Sequence, residues 1–296
     1  MSTINTVAVA GASGFLGPAI VNQLVEDGFK VTVLGRKGTS HAFPASVATA
    51  EIDYESPESL VKALTGQDAV VSTIGFAGLP QQLPLVRAAV AAGVKRFVPS
   101  EYGSDATNEA AAGLPPFKPK HAVAAALAAA AAGGDITYTL VSTGPFLDMA
   151  LAQGLLLDLR GKRARLFDGG DARFSTTTVA SVARAVSGVL QHPAETANRN
   201  VRVRSASTTQ NALLAMAQKA VGADGWTTAV VSTADALAKA YAALAKGEVD
   251  RLGFIAAAVW GEGYGGDFEA ADNDLLGVHE LDDAELQSLV DDIAKK

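Results

Sequence analysis

Cysteine is absent from the 296 residues. Its absence excludes disulfides, thiolate metal sites and cysteine nucleophiles together, and it fits a reducing compartment. Positive charge is in deficit: 24 Lys and Arg stand against 31 Asp and Glu, a formal net charge of −7. With no basic stripe to track phosphates, nucleic acid is not an expected partner. Long hydrophobic runs are missing too. The longest, Ala122–Ala132, falls well short of the ~20 residues that a membrane span needs. The opening MSTINTVAVAG leads straight into an apolar run, without the charged and apolar regions of a signal peptide. The expectation is a soluble, cytoplasmic protein without a membrane partner. His41, His192 and His279 are isolated, and no Asp/Glu/His group has ligand spacing, so no metal is expected. No G-x-S-x-G elbow surrounds Ser100 or Ser142, which removes the usual hydrolase pattern. The Tyr-x-x-x-Lys pair of short-chain reductases is also lacking. Tyr54, Tyr102, Tyr138, Tyr241 and Tyr264 are followed four residues later by Glu58, Ala106, Ser142, Ala245 and Phe268.

What is present begins at Val7–Ile20, VAVAGASGFLGPAI. An apolar, strand-like run passes through Gly11, Gly14 and Gly17 into a helix-like segment. In such a turn Gly11 permits a tight exit from the strand and Gly14 lets a pyrophosphate approach the backbone. Gly17 lets the helix pack close to the sheet. Free N–H groups at the helix start, aided by the helix dipole, then face the phosphates. Ser13, Phe15 and Leu16 complete the cradle. A second strand, Lys30–Leu34, runs into Gly35, Arg36 and Lys37 rather than a carboxylate. Two cations suit a 2′-phosphate, which predicts NADPH over NADH.

Further short apolar strands alternate with helices: Val47–Ile52, Asp68–Ile74, Arg96–Pro99 and Ile136–Ser142. This alternation predicts a Rossmann-like, doubly wound parallel α/β sheet with right-handed crossovers. Thr73, Gly75 and Phe76 after the fourth strand, and Pro145 and Phe146 after the sixth, belong to the carboxyl edge where dinucleotides bind. The alanine-rich helix Lys120–Ala132 reads as close packing against the sheet. Beyond Leu147 the alternation loosens. We expect an NADP-binding domain over 1–147 and a smaller α+β substrate-binding part over 148–296, some segments of which return to the first domain. Within the second part, Arg165–Phe174 carries a Gly-Gly-Asp turn suited to joining two strands. Phe254, Trp260, Tyr264 and Phe268 either line a pocket or fill core. There is no internal repeat.

These pieces resemble the atypical short-chain reductases of the NmrA-like group, within it the isoflavone reductase and phenylcoumaran benzylic ether reductase family. The matching stretches are GASGFLG (Gly11–Gly17), Arg36, VVSTIG (Val70–Gly75), AAGVKRFVPSEYG (Ala91–Gly103), PFKPKHAV (Pro116–Val123) and TYTLVSTGPF (Thr137–Phe146). Tyr264–Gly277 resembles fungal members. The resemblance implies a lysine acting as general acid or base near the nicotinamide, and it places that lysine at Lys120 rather than Lys118. A lysine at a helix start, disfavoured as an ammonium by the dipole and by burial, is suited to exchanging protons near neutrality. His121, one position on, is expected in a supporting or surface role. The resemblance further implies a small aromatic substrate, with Tyr102, Phe146, Trp260 and Tyr264 as candidate contacts, in a monomer or homodimer. A non-catalytic NADP(H)-binding redox sensor is the alternative.

Overall fold

The computed structural model describes residues 3–36, 38, 43–248 and 250–295. The first half builds β1 (Thr6–Ala10), α1 (Gly17–Glu26), β2 (Lys30–Arg36), β3 (Ala48–Ile52), α2 (Pro57–Leu64), β4 (Ala69–Ser72), α3 (Gln82–Ala91), β5 (Arg96–Val98), α4 (Glu109–Ala112), α5 (Lys118–Ala132) and β6 (Thr137–Ser142). The second half builds α6 (Leu147–Ala152), β7 (Arg163–Phe167), β8 (Arg173–Thr176), α7 (Val179–Gln191), β9 (Arg199–Arg202), β10 (Ala206–Thr209), α8 (Gln210–Val221), β11 (Thr227–Val231), α9 (Thr233–Ala245), α10 (Arg251–Trp260), α11 (Asn273–Leu276) and α12 (Asp283–Ala294).

Seven strands form one parallel sheet in the order β3-β2-β1-β4-β5-β6-β9. The order reverses between β1 and β4, and that switch point is where a doubly wound sheet opens a ligand crevice at its carboxyl edge. Strand alternation divides the core into two layers. Val7 and Val9 face α1 and α7, with Ile20, Leu24, Val182 and Val186. Ala8 and Ala10 face the other side, with Leu60, Leu85, Val123 and Leu127 from α2, α3 and α5. α7 and β9 follow the second half's first strands in sequence, yet they complete the Rossmann-like layers.

α5 differs from its expected packing. Only Val123 and Leu127 of the helix are buried, and most of its alanines are half-exposed or exposed. A 3.6-residue period lets one stripe reach the sheet; the remaining alanines serve the helix through their propensity. The Gly-Gly-Asp turn does connect two strands, β7 and β8, but they do not pair with each other. β7 pairs with β11 and β8 with β10. Asp168, Gly169 and Gly170 all adopt positive φ, and the Asp168 carboxylate accepts hydrogen bonds from the Thr233 amide and hydroxyl at the start of α9. The turn therefore leads the chain away from β7. A second core gathers Leu147, Leu151, Leu166, Phe174, Leu213, Trp260 and Val290.

Candidate functional site

The glycine turn closes at the end of β1 with the Gly14 amide donating to the Gly11 carbonyl at 2.9 Å. Gly11 has φ +78°, and a Cβ there would sit 2.7 Å from the Ile74 amide nitrogen. The residue is thus fixed by a close approach to the end of β4 as well as by its backbone. The Thr73 amide and hydroxyl both donate to the Ala10 carbonyl, at 2.8 and 3.0 Å, and lock the two strand ends together. Gly17 acts differently from expectation. A methyl there would overlap the backbone of Ala12, inside the turn itself, rather than the sheet. Gly14 is exposed and faces outward, with the Gly11 carbonyl 3.1 Å from a notional Cβ. Leu16 precedes α1 without capping it through a side chain, and with Pro18 lacking an N–H it is the Gly17 and Ala19 amides that are left for another acceptor. Ser13 and Phe15 are exposed beside Gly14, whereas Leu16 is buried in the first core. This is a cradle that fits a pyrophosphate.

Pairing of Ala10 with Leu34 brings the end of β2 alongside the turn. Arg36 is exposed at that edge. Its positive charge acts on Tyr54, whose hydroxyl burial pushes up to about 12 against the attraction of Arg36. Lys37 lies outside the described residues.

The other wall of the crevice is built from the ends of β4, β5 and β6. The Ser100 hydroxyl donates to the Ile74 carbonyl at 2.9 Å, just before Gly75 and Phe76, and the Ser100 amide donates to the Gln82 side chain at 2.8 Å. Thr143 and Gly144 amides donate to the Gly103 carbonyl at 2.9 and 2.8 Å. Gly144 has φ +63°, and a methyl on it would collide with the Ser175 carbonyl. Pro145 accepts at its carbonyl from the Thr177 amide at 3.1 Å. Phe146 then stacks on Phe15 of the glycine turn, with ring centroids 6.2 Å apart and planes 18° apart. On the opposite flank the Arg251 guanidinium stands 4.6 Å from the centroid of the Phe76 ring.

Lys120 lies in the first turn of α5, next to this wall. Its Nζ donates to the Glu101 carbonyl, would lie 3.7 Å from a Cβ on Gly103, and is 5.8 Å from the centroid of the Phe117 ring. Burial pushes its ammonium below the ordinary lysine range, opposed by the attraction of the Glu101 carboxylate. Burial in turn pushes the Glu101 carboxyl above the ordinary range, opposed by Lys120. Desolvation therefore disfavours the charged form of both partners, while their mutual attraction opposes it. Glu101 belongs to a stretch the sequence singles out, but its closeness to Lys120 does not follow from the 19-residue separation. The available signal is a carboxylate directly after a buried strand at the carboxyl edge.

The remaining candidate contacts separate by depth. Tyr102 is buried in the first core at φ 36°, and its hydroxyl has no hydrogen-bond partner among the described residues. Burial pushes that hydroxyl far up, with Glu101 adding to the effect. Trp260 belongs to the second core, stacked 4.7 Å from Phe167 and edge-on at 5.5 Å to Phe174. Phe254 and Phe268 are also core residues, 1% and 2% exposed, which settles the pocket-or-core alternative for them on the core side. Tyr264 is half-buried and packs with Phe117 around Leu114, Ala240, Phe254 and Ala258. Tyr264 and the buried Phe254 thus share a cluster with Phe117, the ring that approaches Lys120. A groove of about 1060 Å³ opens beside Phe15, walled by Asn22, Met149, Leu151, Arg160 and Ile293. Among the described residues no acidic, histidine or cysteine group could hold a metal, and no helix is long and apolar enough to cross a membrane.

Known proteins are similar to this chain in sequence or in architecture. An oxidoreductase named aprR from Aspergillus flavus is 34% identical over 278 residues, covering 91% of this chain and 93% of that protein. An oxidoreductase named poxI from Penicillium oxalicum is 37% identical over 220 residues, 72% of this chain and 69% of that protein. The phenylcoumaran benzylic ether reductase PT1 of Pinus taeda is 30% identical over 187 residues, 57% of this chain and 59% of that protein. Among solved structures, AtPrR2 with NADP+ and (+)pinoresinol superposes with a TM-score of 0.78 at 23% identity, covering 99% of both chains. The leucoanthocyanidin reductase–NADPH complex from Vitis vinifera superposes with a TM-score of 0.77 at 18% identity, covering 99% of this chain and 100% of that one. These likenesses confirm the Rossmann-like fold. The model of the NmrA-like family matches residues 3–232, and the chain belongs to that family.

Proposed function

We propose that the protein is an NADPH-dependent oxidoreductase that reduces a small aromatic or phenolic metabolite, with Lys120 as the proton-transfer residue. The observation that carries this reading is the placement of the Lys120 amine. It is held on the Glu101 carbonyl at the carboxyl edge of β5, in surroundings that lower its proton affinity. The uncapped start of α1 and the exposed Gly14 would hold the pyrophosphate, and Arg36 the 2′-phosphate. The relatives named oxidoreductase support the reaction class.

A nicotinamide bound in this crevice would supply the hydride. The chain's own residues orient, enclose and protonate. Phe15 and Phe146 form a stacked pair where the glycine turn meets the β6 loop. Phe117 and Tyr264 offer aromatic surface on the Lys120 side, in keeping with ligand sites that are mostly apolar with a few placed polar groups. Lys120 donates a proton to the atom on which negative charge develops as the hydride arrives.

The test is a screen of aromatic enones, imines and benzylic ethers, pinoresinol included, for NADPH oxidation, followed by Lys120→Ala. The variant should lose turnover by about 100-fold or more, the scale of a general acid, while NADPH affinity stays within about twofold. Unchanged turnover removes Lys120 from the reaction. Tight NADPH binding with no substrate oxidising it across the screen favours a redox sensor.

A further inference from the structure

Behind Lys120 lies a recess with about 20 Å³ of free volume, lined by Glu101, Ser104, Asp105, Phe117, Lys120 and His121 among others. That is room for a single water with polar partners on several sides. A second, open recess of about 580 Å³ lies against it and shares the walls Ala106, Ala112 and His121. His121 is exposed. Its imidazole has no hydrogen-bond partner among the described residues and thus keeps both ring nitrogens for water. The two recesses meet at this side chain. Adjacent positions on a helix point about 100° apart, and here the inner recess occupies the angle between them.

We propose that these recesses form the route by which Lys120 exchanges its proton with solvent, and that His121 is the relay at their junction. The proposal rests on Lys120 being the proton-transfer residue. In balance, the Lys120 ammonium gives one proton to the substrate as hydride is delivered and becomes a neutral amine. The His121 imidazolium passes a proton through the recess water to that amine, and solvent in the outer recess reprotonates His121. One proton from solvent is consumed for each hydride transferred, as reduction by NADPH requires. An imidazole carries two ring nitrogens, so it can take up a proton at one and release a proton from the other.

The charged groups facing the route are few. Glu101, Asp105 and Lys120 line the inner recess, and Glu109 and Lys118 the outer one. Asp105 is committed elsewhere: its carboxylate holds Arg202 at 2.7 Å and accepts from Thr107 and Asn200. It therefore serves as a fixed wall rather than a carrier. His121 acts through Lys120 and is a positioning residue for the proton rather than a group that touches substrate.

The experiment reads the Lys120 amine directly and needs no substrate. Protein labelled with ¹⁵N at lysine side chains and loaded with NADPH is measured by NMR for exchange of amine protons with water between pH 5.5 and 8.5, with Lys120→Gln assigning the signal. In the unmodified protein exchange should be fast and rise with a histidine-like inflection. In His121→Gln it should slow by about tenfold or more and lose the inflection. Ala112→Leu, which fills the shared wall and leaves the imidazole in place, should slow exchange with the inflection retained. Both side chains stand at the surface or at a recess wall, and a thermal melt confirms each fold. Exchange in His121→Gln with the same rate and profile as the unmodified protein overturns the proposal, and so does slowing in Ala112→Leu alone. Because turnover plays no part, retained activity in Lys120→Ala would sink the catalytic reading and leave this result standing by itself.

Discussion

The three glycines of the turn make separable contributions, and two alanine substitutions should show it. At Gly17 a methyl would lie within 2.5 Å of the Ala12 Cα and nearer still to its carbonyl. Neither atom is the end of a flexible side chain, so α1 must shift by about 1 Å or the turn must open. Overpacking of this kind costs about 1–3 kcal/mol, and at about 2 kcal/mol Tm should fall by roughly 4 °C. At Gly14 the nearest atom to the methyl is the Gly11 carbonyl at 3.1 Å, the residue is exposed, and its φ lies outside the left-handed region. The methyl is tolerated by the protein and by the unfolded chain alike, so stability should change by less than about 1 kcal/mol. A phosphate is a different matter. The methyl would occupy the approach to the amides, and losing one or two charge-assisted bonds of about 1.5–3 kcal/mol lowers NADPH affinity by about 10–100-fold. Urea denaturation without nucleotide and a fluorescence titration with NADPH separate the two effects. Equal stability losses in Gly14→Ala and Gly17→Ala would refute the division of labour. Undiminished NADPH affinity in Gly14→Ala would show that the phosphates lie elsewhere.

Other substitutions probe the edges of the site and the frame behind it. Arg36→Ala should weaken NADPH binding by about 10–100-fold and leave NADH nearly unaffected, since a charged hydrogen bond is worth about 1.5–3 kcal/mol; an unaltered ratio of the two affinities in titration calorimetry would remove Arg36 from recognition of the 2′-phosphate. Asp68 is held at about 2 rather than 3.8: burial opposes the shift, but Lys95 and the amides of Asn5 and Thr6 outweigh it. A carboxylate depressed when folded stabilises above its unfolded value and loses that contribution as pH falls toward 2. Asp68→Asn should therefore cost about 1–2 kcal/mol at pH 7, after allowance for solvent screening, and little at pH 2; equal losses at both pH values would count against it. Arg96, 1% exposed, donates to Thr137 at 2.9 Å, to Thr139 at 2.7 Å, to Thr196 at 3.0 Å and to the Pro193 carbonyl. In Arg96→Met the threonine hydroxyls keep acceptors of their own at Lys95, Thr196, Val189 and His192, so the cost should be about 2–4 kcal/mol by urea denaturation rather than collapse; a change below about 0.5 kcal/mol would mean that the buried network contributes nothing.

What the sequence discloses and what it conceals divide along how local each contact is. β1, β2, β4, β5 and β6 are short apolar runs set off by turn residues, so period and punctuation place them within a residue or two; β3, which buries only Ile52, is placed by its position in the alternation. α10 shows the opposite case. RLGFIAAAVW carries no amphipathic stripe, because it packs against α9 on one side and the second core on the other, and seven of its ten residues are buried. Its Gly253 reads as a loop signal, yet it is there because the Ala236 backbone and the Ala240 methyl of α9 come too close for any side chain. Aromatics at Phe254 and Trp260 then look like pocket lining only so long as the helix is unseen. β7 and β8 were visible as strands, but their partners lie far along the chain, and no property of a four- or five-residue run names a partner. The candidate site mixes both kinds of information. The proposed phosphate cradle is contained in one strand–turn–helix and is legible there. The proton site joins Glu101 on the β5 edge to Lys120 at the start of α5, and for that the residues supply only the raw material: a carboxylate after a strand and a lysine at a helix start. A family resemblance singled out the lysine. The recesses that run from it past His121 exist only once α4, α5 and the 101–106 loop are folded against one another, which is why the adjacent Lys120 and His121 both end up on the walls of one cavity.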